Sequence, residues 1–200
     1  MSRSQSVAGS ERGCCQQRGF VLSCKKYTNP GLRELIAMGL NRIEDVRQRG
    51  FGGFVPIFAL QRSLCCEVPD RHGVYLVLRL SRSAPRFCAE STGGYFKGKN
   101  PAVNVDLLEE KWLMNALVLY IGKAGPGRTL RNRLKAYMQF GQGKPVAHWG
   151  GRYIWQLSQS DHLLVCWKTT GFSQPRTVEK KLIQEFEDLY EQLPFANLCH

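Results

Sequence analysis

Gly73-Val74-Tyr75 and Leu119-Tyr120-Ile121-Gly122 are the two stretches whose reading decides the fold. Each sets a tyrosine and a glycine in an apolar run, over residues 73–80 and 116–122, rich in the Val, Ile, Leu and Tyr that buried strands favour. Residues 163–167 read as a further strand, while residues 129–140 and 175–193 carry the spacing of helices. The expected fold is α/β of the α+β kind: a small three-stranded antiparallel sheet flanked by helices, with an N-terminal helical extension.

The chain of 200 residues, 43% of them hydrophobic, can build one core of ordinary size. Lys and Arg number 28 against 16 Asp and Glu, a formal charge of +12. A polyanionic partner is the simplest use for that surplus, because basic surfaces capture phosphate backbones by releasing counterions; solubility alone is the plainer reading. No apolar run approaches a membrane span, and residues 1–18 have no continuous apolar stretch like that of a signal peptide. A cytoplasmic protein without a membrane partner is expected. The eight cysteines, Cys14, Cys15, Cys24, Cys65, Cys66, Cys88, Cys166 and Cys199, form no C-x-x-C pair and include two vicinal doublets. Free thiols fit that pattern better than zinc ligands do.

Residues 1–28 are a basic arm without hydrophobic periodicity. Residues 29–67 form a small helical preface: Asn29-Pro30 opens a helix carrying Leu32, Leu35, Ile36 and Leu40, and a second short helix follows Asn41 through Val46. Residues 51–60, broken by Gly52, Gly53 and Pro56, read as an edge strand or a loop. Residues 68–200 make the main domain, interrupted by an insertion over residues 81–113. At its centre, residues 91–101 mix glycine, aromatics and the lysines Lys97 and Lys99, which suits either a nucleic-acid backbone contact or a solvated loop.

On the last helix Val178, Leu182, Ile183, Phe186, Leu189, Tyr190 and Leu193 fall on one stripe, and Glu179 lies inside it. An unpaired buried carboxylate costs roughly several kcal/mol, so Glu179 must be paired, protonated or bound to a metal. Glu185 and Glu187 flank the stripe as solvated charges. In the helix over residues 129–140, Arg133 sits at the edge of the apolar face of Leu130, Leu134, Tyr137 and Met138, whereas Arg131, Asn132 and Lys135 point elsewhere. The Arg133 fork can neutralise Glu179 or clamp a phosphate. Residues 122–129 nearly spell the phosphate loop G-x-x-x-x-G-K-[ST], but Arg128 stands where lysine is required. The strand over 163–167 also runs into Lys168 and Thr169 instead of an Asp, which leaves nucleotide hydrolysis the weaker reading.

Taken in order, Gly73-Val74-Tyr75, Tyr120-Ile121-Gly122-Lys123, Arg133, Tyr137, Glu179 and Pro194-Phe195-Ala196-Asn197 resemble the GIY-YIG nuclease superfamily, over roughly residues 68–197. The resemblance implies a small antiparallel sheet flanked by helices and a metal-dependent endonuclease that hydrolyses phosphodiester bonds in DNA, with RNA also admissible. It implies that Glu179 binds Mg²⁺ or Mn²⁺ and that Tyr75 and Tyr120 flank the scissile phosphate. A tyrosine titrates near 10, so Tyr75 as general base requires a neighbouring cation, Lys123 or the metal. Arg133 is then the stabiliser of phosphoryl charge, Tyr137 orients a phosphate oxygen or the water, and Asn197 braces the site. The interval between Tyr75 and Tyr120 is longer than the family usually shows, and residues 147–155 are unlike the simpler repair domains. There His148 or Arg152 is expected to form a wall at the phosphate, or Trp149 and Trp155 to be plain core; Arg131 joins Lys97, Lys99, His148 and Arg152 as expected nucleic-acid contacts. The rival reading is a module of the same fold that binds nucleic acid without cutting it.

Overall fold

All six residues of Gly73–Leu78 are buried, and a strand buries both faces only when a layer covers each. Along this strand Tyr75 and Val77 face one apolar cluster, while Val74, Leu76 and Leu78 face a second. That is the period-two alternation of a pleated strand. The structure, a computed structural model, describes residues 39–171 and 173–198. The basic arm over residues 1–28 and all but the end of the helix opened by Asn29-Pro30 lie outside the described residues.

In chain order the described elements are α1 (Ile43–Gln48), β1 (Gly52–Pro56), α2 (Ile57–Ser63), β2 (Gly73–Leu78), α3 (Val105–Glu110) and β3 (Val118–Ala124). They continue with α4 (Leu130–Gly141), 3-10 turns at Arg152–Gln156 and Ser160–His162, β4 (Leu164–Thr169) and α5 (Pro175–Tyr190). The strands run β1-β4-β2-β3 across one sheet, and every neighbouring pair is antiparallel. On one face lie α2, α4 and the first 3-10 turn, through Leu60, Leu134 and Trp155. On the other lie α1 and α5, through Val46, Leu182 and Phe186.

The sheet has four strands where three are expected, because Gly52–Pro56 pairs with β4. Its sequence hides this. The register shifts between Gly53 and Val55, Gly53 and Phe54 both take positive φ, and a side chain at Gly53 would strike the Trp167 ring at 2.6 Å. The strand therefore needs glycine where propensity asks for a β-branched residue. β1, α1 and α2 pack into the same two core clusters as the other described elements.

The insertion is docked on the body. Gln156, with no exposed surface, accepts from Val103 N–H at 2.8 Å and donates to the Val103 carbonyl at 2.9 Å and the Cys88 carbonyl at 3.1 Å. Asn104 then caps α3 by accepting from Asp106 N–H. Cys65 and Cys166 are buried free thiols and Cys66 and Cys88 exposed ones; burial pushes the Cys65 thiol up to about 12. No helix among the described residues is long and apolar enough to cross a membrane.

Edge strand β3 is closed by residues 196 and 197. Ile121 N–H donates to Asn197 Oδ1 at 2.9 Å and Asn197 Nδ2 donates to the Ile121 carbonyl at 3.0 Å, while Ala196 N–H donates to the Leu119 carbonyl at 2.8 Å. Asn197 thus reproduces the pairing of a missing neighbour strand. Asn197→Ala is expected to destabilise the protein by roughly 1–3 kcal/mol, because a buried N–H and C=O lose their partners together. Urea unfolding measures this, and a loss below the error of the fit would show that water replaces the amide.

Candidate active site

Gly122 stands opposite Tyr75 in the β2/β3 ladder. A side chain there would meet the Tyr75 ring at 2.4 Å, so the glycine is what lets that ring lie across the neighbouring strand. Tyr120 projects on the same side of β3, its ring edge-on to Tyr75 at 5.9 Å between centroids. From α4, Tyr137 completes a triangle of rings, 6.4 Å from Tyr75 and 5.8 Å from Tyr120.

Helix α4 is aimed at this triangle by its first turn. Leu130 N–H donates to the Arg71 carbonyl and Arg131 N–H to the Pro69 carbonyl, so the turn that leads into β2 satisfies two helix-terminal donors. Thr129 caps the same end, its hydroxyl accepting from Asn132 N–H. One turn into the helix, Arg133 reaches the tyrosine oxygens. Burial works against its charge, but Tyr75 first and Tyr120 second outweigh that and hold its pKa above the ordinary value.

These groups border a cleft of about 460 Å³ lined by Tyr120, Lys123, Arg128, Arg133, Trp149 and Glu179 among others. The Glu179 side chain is only 12% exposed and pairs with the Lys123 ammonium. Its partner is therefore Lys123, not the arginine that helix periodicity offers. Glu185, expected as a solvated charge, is half-buried and paired with Arg49.

Of the expected catalytic set, Tyr120, Lys123, Arg133, Glu179 and Asn197 line the cleft, and Tyr75 and Tyr137 do not. Both are fully buried behind Tyr120. Tyr137 donates its hydroxyl to the Gly151 carbonyl at 2.9 Å and stacks on His148 at 4.2 Å, so its oxygen is committed to protein and not to a phosphate. Burial raises the Tyr75 pKa more than its neighbours lower it, and the cation that opposes burial most is Arg133, not Lys123. Burial likewise holds Tyr120 and Tyr137 well above the ordinary phenol range. Asn197 braces the site through the Ile121 backbone.

The expected nucleic-acid contacts fare differently. Arg131 donates through Nε to the Val68 carbonyl at 2.9 Å and supports the turn before β2 instead of the cleft. Lys97 leans over the Phe96 ring, and Gly93 and Gly94 of that loop pack on Phe140 and Lys144 at the far end of α4, so Lys97 and Lys99 stay outside the cleft. Arg152 lies over the Trp149 ring at 4.6 Å and buttresses the cleft wall. His148 is 1% exposed, within the tyrosine cluster and not on a basic surface. Trp155 is core, as its plainer reading has it, whereas Trp149 reaches the cleft. Arg128 also reaches it; its only sequence signal is a phosphate-loop pattern that it breaks.

Among the described residues no group of three or more His, Cys, Asp or Glu could hold a metal ion by itself. Magnesium, however, is commonly held by one or two carboxylates with water and substrate phosphates. Glu179, a carboxylate bordering an arginine-lined cleft, fits that mode.

Comparison of the chain with family models, curated proteins and solved structures found no match.

Gly122→Ala is expected to cost roughly 1–3 kcal/mol, because the ring it strikes is packed on every side. It should also shift the Tyr75 ring resonances. Denaturant melts together with aromatic NMR check this, and an unmoved Tyr75 ring would refute the contact.

Proposed function

We propose that the chain is a metal-dependent endonuclease of the GIY-YIG kind, hydrolysing phosphodiester bonds in DNA. One observation carries the reading: residues far apart in sequence, Tyr120, Lys123, Arg133 and Glu179, border the same cleft, and they are the residues on which the sequence resemblance rests. An arginine held against two phenols at the edge of a cleft suits a site that meets a phosphate.

In this reading the scissile phosphate enters between Arg128 and Arg133. The Arg133 fork meets the charge that builds on the phosphoryl oxygens, and because it is already fixed by the tyrosines, little reorganisation is needed as the reaction proceeds. Tyr120 holds the attacking water. Lys123 neutralises Glu179, and its ammonium borders the cleft that an arriving phosphate would enter. Glu179 would hold Mg²⁺ or Mn²⁺, which when bound would stabilise the leaving 3′ oxygen. The half-exposed Trp149 wall, stiffened by Arg152, suits a base or sugar beside the cut. RNA offers the same phosphate and is an equally acceptable occupant on charge. A module that binds without cutting is the rival, and the closed Lys123–Glu179 pair is the feature that favours it.

Glu179→Gln separates the two. The variant is expected to lose supercoiled-plasmid nicking in Mg²⁺ by at least about a hundredfold, while its DNA affinity stays within about twofold of wild type. Equal cutting by the variant would remove Glu179 as metal ligand, and salt-sensitive binding without cutting by either protein would favour the rival.

A further inference from the structure

Ile121 and Lys123, two residues apart on β3, project from the same face of the sheet, and Ile121 packs in the cluster that holds Leu182 and Ile183 of α5. Glu179 stands one turn before Ile183 on that helix and pairs with the Lys123 ammonium. The two partners are not equally held. The glutamate side chain is 12% exposed on a packed helix, whereas the lysine side chain is 39% exposed and ends a flexible four-carbon stem. The cation is therefore the partner that can leave. Among the described residues Glu179 has no other ion pair.

Of the charged residues that line the cleft, Lys123, Arg128 and Arg133 stand against Glu179 alone, three cations against one carboxylate and a formal +2. A magnesium or manganese ion binds a carboxylate oxygen directly, and an ammonium bonded to the same carboxylate opposes it by both space and charge. No second carboxylate lines the cleft. The other oxygens around the ion must then come from water and from the substrate phosphate.

We propose that Lys123 is a displaceable counter-ion: it occupies the Glu179 carboxylate until a divalent metal takes its place, and the freed ammonium then binds the phosphate of the substrate. The proposal rests on the reading of Glu179 as metal ligand. No covalent bond changes; one ion pair is exchanged for two contacts, metal to Glu179 and Lys123 to phosphate. Metal and polyanion therefore bind cooperatively, and by linkage each raises the affinity of the other by the same factor. The exchange also gives the closed pair a place in an active nuclease. Without metal, Lys123 keeps the carboxylate from repelling a phosphate; with metal, the lysine joins Arg128 and Arg133 at the phosphate.

The first test needs no cleavage. Binding of Mn²⁺ alone to the full chain, read from the electron paramagnetic resonance of the free ion, is compared for wild type, Lys123→Met and Glu179→Gln. Lys123→Met removes the competing charge and should bind Mn²⁺ about fivefold tighter than wild type or better, whereas Glu179→Gln should lose the site. Lys123→Gln keeps a hydrogen-bond donor for the half-buried carboxylate, which guards against misfolding, and should show the same gain. The second test measures affinity for a phosphorothioate duplex, confirmed intact on a gel, with and without Mn²⁺. The gain that Mn²⁺ gives wild type should exceed the gain in either Lys123 variant by about fivefold or more, because only wild type has an ammonium to release. Mn²⁺ affinity unchanged in both Lys123 variants but lost in Glu179→Gln overturns the exchange and leaves Glu179 as metal ligand. Mn²⁺ binding that is the same in Glu179→Gln as in wild type removes that ligand, and the exchange with it. A wild type that shows the exchange yet cuts no DNA overturns the nuclease reading alone.

Discussion

The Tyr75 ring lying across Gly122 is the contact on which the cleft depends. It joins the two motif strands β2 and β3 by something other than backbone pairing, because the ring occupies the space that any side chain opposite it would fill. With that ring in place, Tyr120 is turned edge-on toward the cleft and Tyr137 closes the cluster from α4. The hydroxyl of Tyr75 is thereby delivered to the point where Arg133 arrives from one side and His148 from the other. The placement of the Tyr75 ring against Tyr120 and Tyr137 thus depends on one position having no side chain.

Charge is arranged around this cluster with the same economy. No carboxylate lies within salt-bridge range of Arg133 among the described residues. Two phenol oxygens take that place, and a dipole can satisfy a guanidinium without cancelling its charge. Glu179 is instead neutralised by Lys123, so Arg128 and Arg133 leave the cleft net positive. A half-buried cation that is hydrogen-bonded but not neutralised is suited to an anion that comes and goes, since the anion displaces no competing carboxylate. In the proposed nuclease the overall charge of +12 would draw a polyanion to the surface, and this local imbalance would give it a place to stop.

What the sequence made legible divides along the same physical lines. β2, β3, α4 and α5 follow from periodicity because each faces the sheet core with a regular repeat, and the inward position of Glu179 and Arg133 falls out of that repeat. β1 is hidden because Gly52-Gly53-Phe54-Val55-Pro56 answers to the Trp167 ring and to backbone at positive φ, neither of which is local information. Gln156 is a polar residue in the core, and nothing near it in sequence reveals the Val103 and Cys88 backbone groups that it satisfies. His148, expected at the phosphate, is buried because its stretch returns over Tyr137. Lys97, Lys99 and Arg131, expected as nucleic-acid contacts from charge and composition, lie outside the cleft.

Tyr137 belongs to the expected site set yet acts as its scaffold, and that change of role explains the segment beside it. Its hydroxyl holds the Gly151 carbonyl and its ring carries His148, so one α4 side chain fixes both ends of residues 148–151. The middle of that segment must approach the tyrosines closely: side chains at Gly150 and Gly151 would each meet Tyr120 at 2.9 Å, and Gly151 takes a positive φ. Glycine is therefore required there twice over, for space and for backbone conformation. The segment closes over Tyr75 and Tyr137 and leaves both without exposed surface. Excluding water lowers the local dielectric and strengthens each interaction among Arg133, the phenols and the imidazole. In a cluster open to solvent, water would compete for these contacts. The covering segment is thus what lets the Gly150 carbonyl hold the His148 ring against the Tyr75 hydroxyl inside a dry cluster.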